Sequence, residues 1–361
     1  MIYTVVGARP NFMKAAPIHR AFERAGVAHQ LIHTGQHYDE AMSKVFFGEL
    51  GMPRPIVDLG VGSGSHAQQT AAVMVGLEKF FSEQRPAAVL VVGDVNSTMA
   101  AALVAAKMGI YTAHVEAGLR SGDWTMPEEI NRVVTDVLVD LLLTPSPDAD
   151  RTLLAEGCPP DSVVRVGNVM IDTLLEHLPR AQALDVPRRL GLAPHGYAVL
   201  TLHRPSNVDD PATLERLLAV IAEIARDLPV VFPVHPRTRQ KAAAVGKDLG
   251  AIPGLMVSEP LGYLDFLSLT SRARLILTDS GGLQEESTVL GIPCLTMREN
   301  TERPITIDEG TNRLVGTNPD LILREARSAL GRPPGGARRI PDLWDGQTAG
   351  RIVQAVTQRI G

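Results

Sequence analysis

Short, largely apolar runs alternate with longer segments of mixed polarity from one end of the chain to the other. Residues 2–6, 30–33, 87–92 and 110–115 form brief runs without polar alternation, the pattern of parallel strands buried on both faces. Between and after them, residues 13–24, 68–83, 97–107 and 129–140 carry apolar positions at helical spacing. Alternation of this kind predicts a doubly wound α/β sheet with helices on both faces. The second half repeats the style. Residues 197–201, 230–234, 255–257, 275–278 and 293–297 read as strands, and residues 211–227, 263–271 and 282–291 as helices. No sequence repeat links the halves, so the likeness is one of architecture.

Length fits this picture. At 361 residues the chain exceeds the roughly 250–300 residues at which a single core stops growing. The reading is therefore two Rossmann-like domains facing a cleft, residues 1–170 and 171–347. A final helix, residues 348–361, is expected to pack back on the first domain. With 45% hydrophobic and 21% charged residues, both domains have enough apolar material for a core. A net charge of −5 argues against a nucleic-acid binder, which shows a basic surplus or stripe. It leaves room for a small anionic ligand held by a local cationic cluster. Arg9 and Lys14 interrupt any signal-peptide core, and the apolar stretch 137–143 is broken by Asp140. The expectation is a cytoplasmic protein with no membrane contact. Cys158 and Cys294 fit no metal spacing, and Cys294 sits in an apolar run as a buried thiol.

Candidate chemistry lies where strands end. After the first strand comes Gly7-Ala-Arg-Pro-Asn-Phe-Met-Lys14, a glycine turn opening a helix, where Gly7 would let backbone approach a ligand and Arg9 and Lys14 would add cations. A surface turn with two solvated charges explains that segment equally well. Asp94 follows the run 89–92 and a glycine, and Glu116 follows the run 111–115. Carboxylates past the carboxyl ends of parallel strands face the crevice where ligands bind. If the two strands are neighbours, about 4.8 Å apart, the acids would share one environment and one pKa would rise. The plainer reading of Asp94 is a cap for the following helix. In Pro127-Glu-Glu-Ile-Asn-Arg132, Glu128 and Glu129 sit in a first helical turn, and the residues alone favour a simple helix start with Glu128 paired to Arg132.

In the second half, His203 and Arg204 end one strand and His235 another. The strongest pattern is Leu275-Ile-Leu-Thr-Asp-Ser-Gly-Gly-Leu-Gln-Glu-Glu286. A strand runs into Ser280-Gly281-Gly282, whose amides and helix N-terminus suit a diphosphate. Glu286, one turn later, suits two ribose hydroxyls. Arg303, in Thr301-Glu-Arg-Pro304, falls in a loop that could close over phosphate.

These segments, taken in order with Thr34-Gly-Gln-His-Tyr-Asp39, His114-Val-Glu-Ala-Gly-Leu-Arg120 and Val166-Gly-Asn168, resemble the non-hydrolysing UDP-N-acetylglucosamine 2-epimerases over nearly the whole chain. The resemblance implies the glycosyltransferase B-type fold, a UDP-sugar substrate, no metal or nicotinamide cofactor, and a homodimer. It implies elimination of UDP from C1 with loss of the C2 proton, then re-addition through 2-acetamidoglucal, giving UDP-ManNAc. Asp94, Glu116 and Glu128 become the proton-transfer acids, with His203 assisting. Arg9, Lys14, His235, Phe266, Ser280, Gly281, Gly282, Glu286 and Arg303 become the substrate-binding residues. Gln36, His37 and Arg204 correspond to positions that hold a second, activating UDP-GlcNAc in many bacterial members. The chain departs from those members at Gly62-Ser-Gly-Ser-His66 and His203-Arg-Pro-Ser-Asn207. Competing readings are an epimerase of a UDP-2,3-diacetamido uronic acid sugar, a hydrolysing 2-epimerase, a retaining glycosyltransferase and a UDP-sugar sensor.

Overall fold

The structure, a computed structural model, describes residues 1–35, 51–334 and 339–360, and of Arg9 the backbone alone. Gln36 and His37 lie outside the described residues. Two compact units are present. The first comprises Met1–Thr173 and Asp342–Gly361, the second Leu174–Pro341.

In the first unit seven strands form one parallel sheet: β1 (Ile2–Val6), β2 (His29–His33), β3 (Val57–Asp58), β4 (Ala88–Val92), β5 (Thr112–Val115), β6 (Leu141–Thr144) and β7 (Val163–Arg165). Their order is β3-β2-β1-β4-β5-β6-β7. Its helices are α1 (Arg9–Arg24), α2 (His66–Glu83), α3 (Asn96–Lys107), α4 (Pro127–Leu138), α5 (Pro147–Ala155) and the start of α6 (Val169–Leu184). Every described residue of β1, β4, β5 and β6 is buried, which is why these strands are largely apolar. Apolar clusters cover both faces. Val73, Leu77 and Phe81 of α2 pack with Ala101 and Val104 of α3 on one face. Ile18 and Phe22 of α1 pack on the other with Ile352, Val353 and Val356 of the last helix, α7 (Thr348–Ile360).

Residues 342–347, assigned above to the second domain, belong to the first unit. Buried Trp344 explains the change, because its indole N–H donates to the Pro145 carbonyl oxygen at 2.9 Å. The Asp172 carboxylate then caps α7, accepting from the Thr348 N–H at 3.1 Å and the Ala349 N–H at 2.7 Å.

The second unit holds a six-stranded parallel sheet of β8 (Ala198–Thr201), β9 (Val230–Pro233), β10 (Leu255–Ser258), β11 (Leu275–Thr278), β12 (Cys294–Thr296) and β13 (Asn312–Leu314), ordered β10-β9-β8-β11-β12-β13. Each sheet thus reverses its winding once, between β1 and β4 in the first unit and between β8 and β11 in the second. Such switch points open a crevice at the carboxyl ends of the strands. No described helix is long and apolar enough to cross a membrane.

Candidate active site

In the first unit, the register sets Val92 of β4 opposite Val115 of β5, so Asp94 and Glu116 leave adjacent strand ends. Each carboxylate has its own cation. Glu116 pairs with Lys14 of α1, and both side chains are buried. Asp94 Oδ2 accepts from Arg132 of α4, at 3.0 Å from Nε and 2.6 Å from Nη2. The remaining Nη1 of Arg132 reaches Glu129 at 2.6 Å. Arg132 therefore pairs with Glu129 and Asp94 and not with Glu128. Glu128 is half-buried and makes no hydrogen bond or ion pair among the described residues. Asp94 is not a helix cap either, since α3 begins at Asn96 after Val95.

The glycine turn after β1 also differs from expectation. Helix α1 starts at Arg9, four residues earlier than the pattern suggests, because Pro10 sits in its opening turn. The Asn11 side-chain oxygen accepts from the Gly7 and Ala8 N–H groups, both at 3.1 Å, while its amide donates to the Val92 carbonyl oxygen at 2.9 Å. A Cβ on Gly7 would fall 2.2 Å from Ser97 Oγ. Gly7 is needed for the close approach of α3. Lys14 stands at the strand ends, but its ammonium is engaged by Glu116.

A buried network that sequence reasoning missed supports these acids. His114 of β5 has Nδ1 2.6 Å from Asp136 Oδ1 and Nε2 2.8 Å from the Gly93 carbonyl oxygen. Asp136 Oδ2 accepts from the Gly118 N–H at 3.1 Å and pairs with Arg120 at 2.7 Å. Burial pushes the Asp136 carboxyl up, but His114 and Arg120 outweigh it and hold it below its ordinary value. Glu129, likewise pushed up by burial, is brought below its ordinary value by bonds from Ser121, Gly122 and the charge of Arg132. The HVEAGLR and PEExNR segments were the available signal, since His114, Arg120, Glu129 and Arg132 all lie inside them. Glu116 itself has φ of 73°, a left-handed backbone that is strained for any residue but glycine.

In the second unit the chemistry gathers at the β8/β11 switch point. Asp279, which follows β11, was not singled out from sequence, yet it organises the end of β8. Its Oδ2 accepts from the His203 and Arg204 N–H groups, both at 2.8 Å, and its Oδ1 lies 2.9 Å from His203 Nδ1. Burial raises the Asp279 carboxyl, and these donors reverse the shift. His203 keeps its ring exposed. His235 caps the helix Pro236–Ala244, its Nδ1 accepting from the Arg237 N–H at 3.2 Å, which leaves Nε2 to carry the proton. Burial, and then His203, lowers its pKa.

Ser280 precedes α8 (Gly281–Leu290) as its N-cap, and no described side chain caps that terminus. A Cβ on Gly281 would meet the Arg303 Nη1 at 2.6 Å, whereas one on Gly282 would meet nothing within 4 Å. Arg303 is thus beside the helix start, but its guanidinium is committed to Glu285 at 2.7 Å and to Glu302. Glu286 is buried, its Oε1 3.4 Å from the Tyr263 hydroxyl. Burial, with the charge of Glu285, raises its pKa to about 7. Phe266 is half-buried against a core cluster of this unit. No group of three or more His, Cys, Asp or Glu suited to a metal occurs among the described residues.

Known proteins share this pair of parallel sheets. The sequence profile of the UDP-N-acetylglucosamine 2-epimerase family matches residues 20–357. The chain is 40% identical over 360 residues to UDP-N-acetylglucosamine 2-epimerase of Methanocaldococcus jannaschii, covering 98% of each chain. It is 42% identical over 336 residues to UDP-2,3-diacetamido-2,3-dideoxy-D-glucuronate 2-epimerase of Pseudomonas aeruginosa, covering 92% of each. The crystal structure of the M. jannaschii UDP-GlcNAc 2-epimerase in complex with UDP-GlcNAc and UDP superimposes with a TM-score of 0.91 over 99% of both chains. The chain belongs to the UDP-N-acetylglucosamine 2-epimerase family.

Proposed function

We propose that this chain interconverts UDP-GlcNAc and UDP-ManNAc without releasing free sugar. Asp94, Glu116 and Glu128 move protons at C2, and the second unit holds UDP. The observation that carries the reading is that the carboxylates of Asp94 and Glu116 are anchored at adjacent strand ends by Arg132 and Lys14, beside the helix that begins at Pro127. A sensor of UDP-sugars has no use for acids held in this way. Inversion at C2 requires proton removal on one face of the ring and delivery on the other, so more than one acid is needed. C2 is weakly acidic, and departure of UDP from C1 must be assisted. The open amides at Gly281 and Gly282 and the exposed His203 suit the diphosphate. Glu286 suits the ribose, and Phe266, one turn from Tyr263 on the same helix, suits the base. Arg9, His235, Ser280 and Arg303 complete the proposed binding set, and Arg204 belongs to the proposed activator site with Gln36 and His37.

The same reading has the enzyme act as a cytoplasmic homodimer that supplies an acetamido sugar for polysaccharide assembly. Sedimentation tests the dimer. A second reading, epimerisation of a 2,3-diacetamido uronic acid nucleotide, is favoured by the 42% identity to the Pseudomonas relative. Incubation with each nucleotide in heavy water, followed by NMR, separates the two. The expected result is deuterium at C2 of UDP-GlcNAc and UDP-ManNAc. Free N-acetylmannosamine, or exchange confined to the uronic acid substrate, would refute the first reading.

A further inference from the structure

The three proposed acids leave three different segments. Asp94 follows β4, Glu116 follows β5 and Glu128 opens α4. One side chain, His114, touches all three. It belongs to β5 itself, two residues before Glu116. Its Nε2 lies 2.8 Å from the carbonyl oxygen of Gly93, the residue before Asp94, and its Nδ1 lies 2.6 Å from Asp136 of α4. The ring is fully buried.

The ring has a partner at each nitrogen, one at the end of β4 and one on α4. A carbonyl oxygen only accepts, so Nε2 donates to Gly93. Asp136 also accepts from the Gly118 N–H and pairs with Arg120 through its other oxygen. Charged groups surround this contact. Asp136 faces the ring from α4. Arg120 faces Asp136 from the loop after β5 and is itself paired with Glu156 at 2.7 Å. Cys158 adjoins Asp136, whose charge adds to burial in raising the thiol. From α1 the Lys14–Glu116 pair stands beside Gly93.

We propose that His114 is a positioning residue whose two hydrogen bonds tie the end of β4 and helix α4 to β5 and so set the spacing of Asp94, Glu116 and Glu128. It touches no reacting atom. This inference rests on the functional reading above, because a spacing of acids matters only if they move protons. A side chain that reaches only one of the two partners would release either the Asp94 strand end or the Glu128 helix.

Substitution tests it. His114→Gln keeps a donor toward Gly93 but cannot also reach Asp136. It is expected to bind UDP within about twofold of wild type while C2 deuterium exchange falls roughly 10²-fold, the scale of a 1 Å misplacement. Undiminished exchange in the folded variant overturns the proposal alone. A wild-type protein that exchanges no C2 proton on either nucleotide overturns the functional reading too, so the two failures are told apart before the variant is made. Should His114→Gln not fold, His114→Asn, which keeps a donor near Asp136 instead, is read in the same way.

Discussion

Glu286 offers a prediction whose size follows from its surroundings. The carboxyl is buried on α8 next to Glu285, with one weak bond from Tyr263. Burial first, and the neighbouring charge second, lift its pKa from 4.5 to about 7. Below pH 4.5 the group is protonated in both folded and unfolded chains, and it has no effect on stability. Between 4.5 and 7 the unfolded chain ionises while the folded one keeps its proton, so stability falls as pH rises. Above 7 the folded protein carries the whole cost of a buried anion. At about 1.4 kcal/mol per pKa unit, that cost is on the order of 3 kcal/mol. Glu286→Gln keeps shape and polarity but cannot ionise. Urea melts should show the variant little different from wild type at pH 4.5 and more stable by ~1–3 kcal/mol at pH 8.5, with the difference growing through pH 5–7. The same variant should bind UDP more weakly at pH 8, because the amide offers one acceptor where the carboxylate offers two. A stability difference independent of pH would refute the assignment of a buried, uncompensated acid. Unchanged UDP affinity would remove Glu286 from the nucleotide site.

Other outcomes follow from the same network of contacts. Arg132→Met removes the cation shared by Asp94 and Glu129 and leaves Glu129 buried without a counter-charge, so a loss of about 3–5 kcal/mol is expected in urea unfolding; a loss below about 1 kcal/mol would show the pairing to be incidental. Gly7→Ala places a methyl 2.2 Å from Ser97 Oγ and should cost roughly 1–3 kcal/mol. The double variant Gly7→Ala/Ser97→Gly should recover part of that loss, and failure to recover would point to Thr34 Oγ1, 2.9 Å from the same position, as the obstacle. Asp94→Asn and Glu116→Gln should each retain UDP binding by calorimetry while C2 exchange falls roughly 10²-fold or more; full exchange in both would take these acids out of the chemistry. Trp344→Phe forfeits the bond to Pro145 and should cost ~1 kcal/mol, and an unchanged melting midpoint would make that anchor dispensable.

The strands of both sheet centres were legible because burial on two faces leaves an unbroken apolar signature, as in residues 88–92 and 275–278. The edge strands β3, β7 and β13 were not. β3 is two residues long, and β13 reads Asn-Arg-Leu, with a single apolar residue to mark it. β6 was hidden because its leucines continue directly from the apolar face of α4 across Val139 and Asp140. Helix Pro236–Ala244 is too polar to show a stripe. For the candidate site, the apolar runs put Asp94, Glu116, His203 and Ser280 just past strand ends, where the structure has them. What spacing could not supply was the partners. Asp94 and Glu116 do leave neighbouring strands, yet each is paired with a cation, Arg132 or Lys14, that is far away in sequence. Asp136 and Asp279 escaped notice for the same reason, since their partners are set by tertiary contact.

The backbone at Glu116 is where fold and chemistry conflict, and the conflict is informative. Both β4 and β5 end in a left-handed residue. On β4 it is Gly93, with φ of 70°, which adopts that conformation at no steric cost. On β5 it is a glutamate with φ of 73°, at a cost on the order of 1–3 kcal/mol. Folding alone would favour glycine at both. The conformation persists at Glu116 because its surroundings over-determine it. The Glu116 and Ala117 N–H groups both donate to the Leu143 carbonyl oxygen, at 3.1 and 3.2 Å, Gly118 is tied to Asp136, and Lys14 holds the side chain. Those bonds fix the turn whatever side chain it bears, so they do not explain why it bears a carboxylate. The side chain adds a buried ion pair, a motif that contributes little net stability over an apolar replacement. Neither backbone nor packing therefore accounts for glutamate at this position, whereas the proposed proton transfer at C2 gives the carboxylate a use.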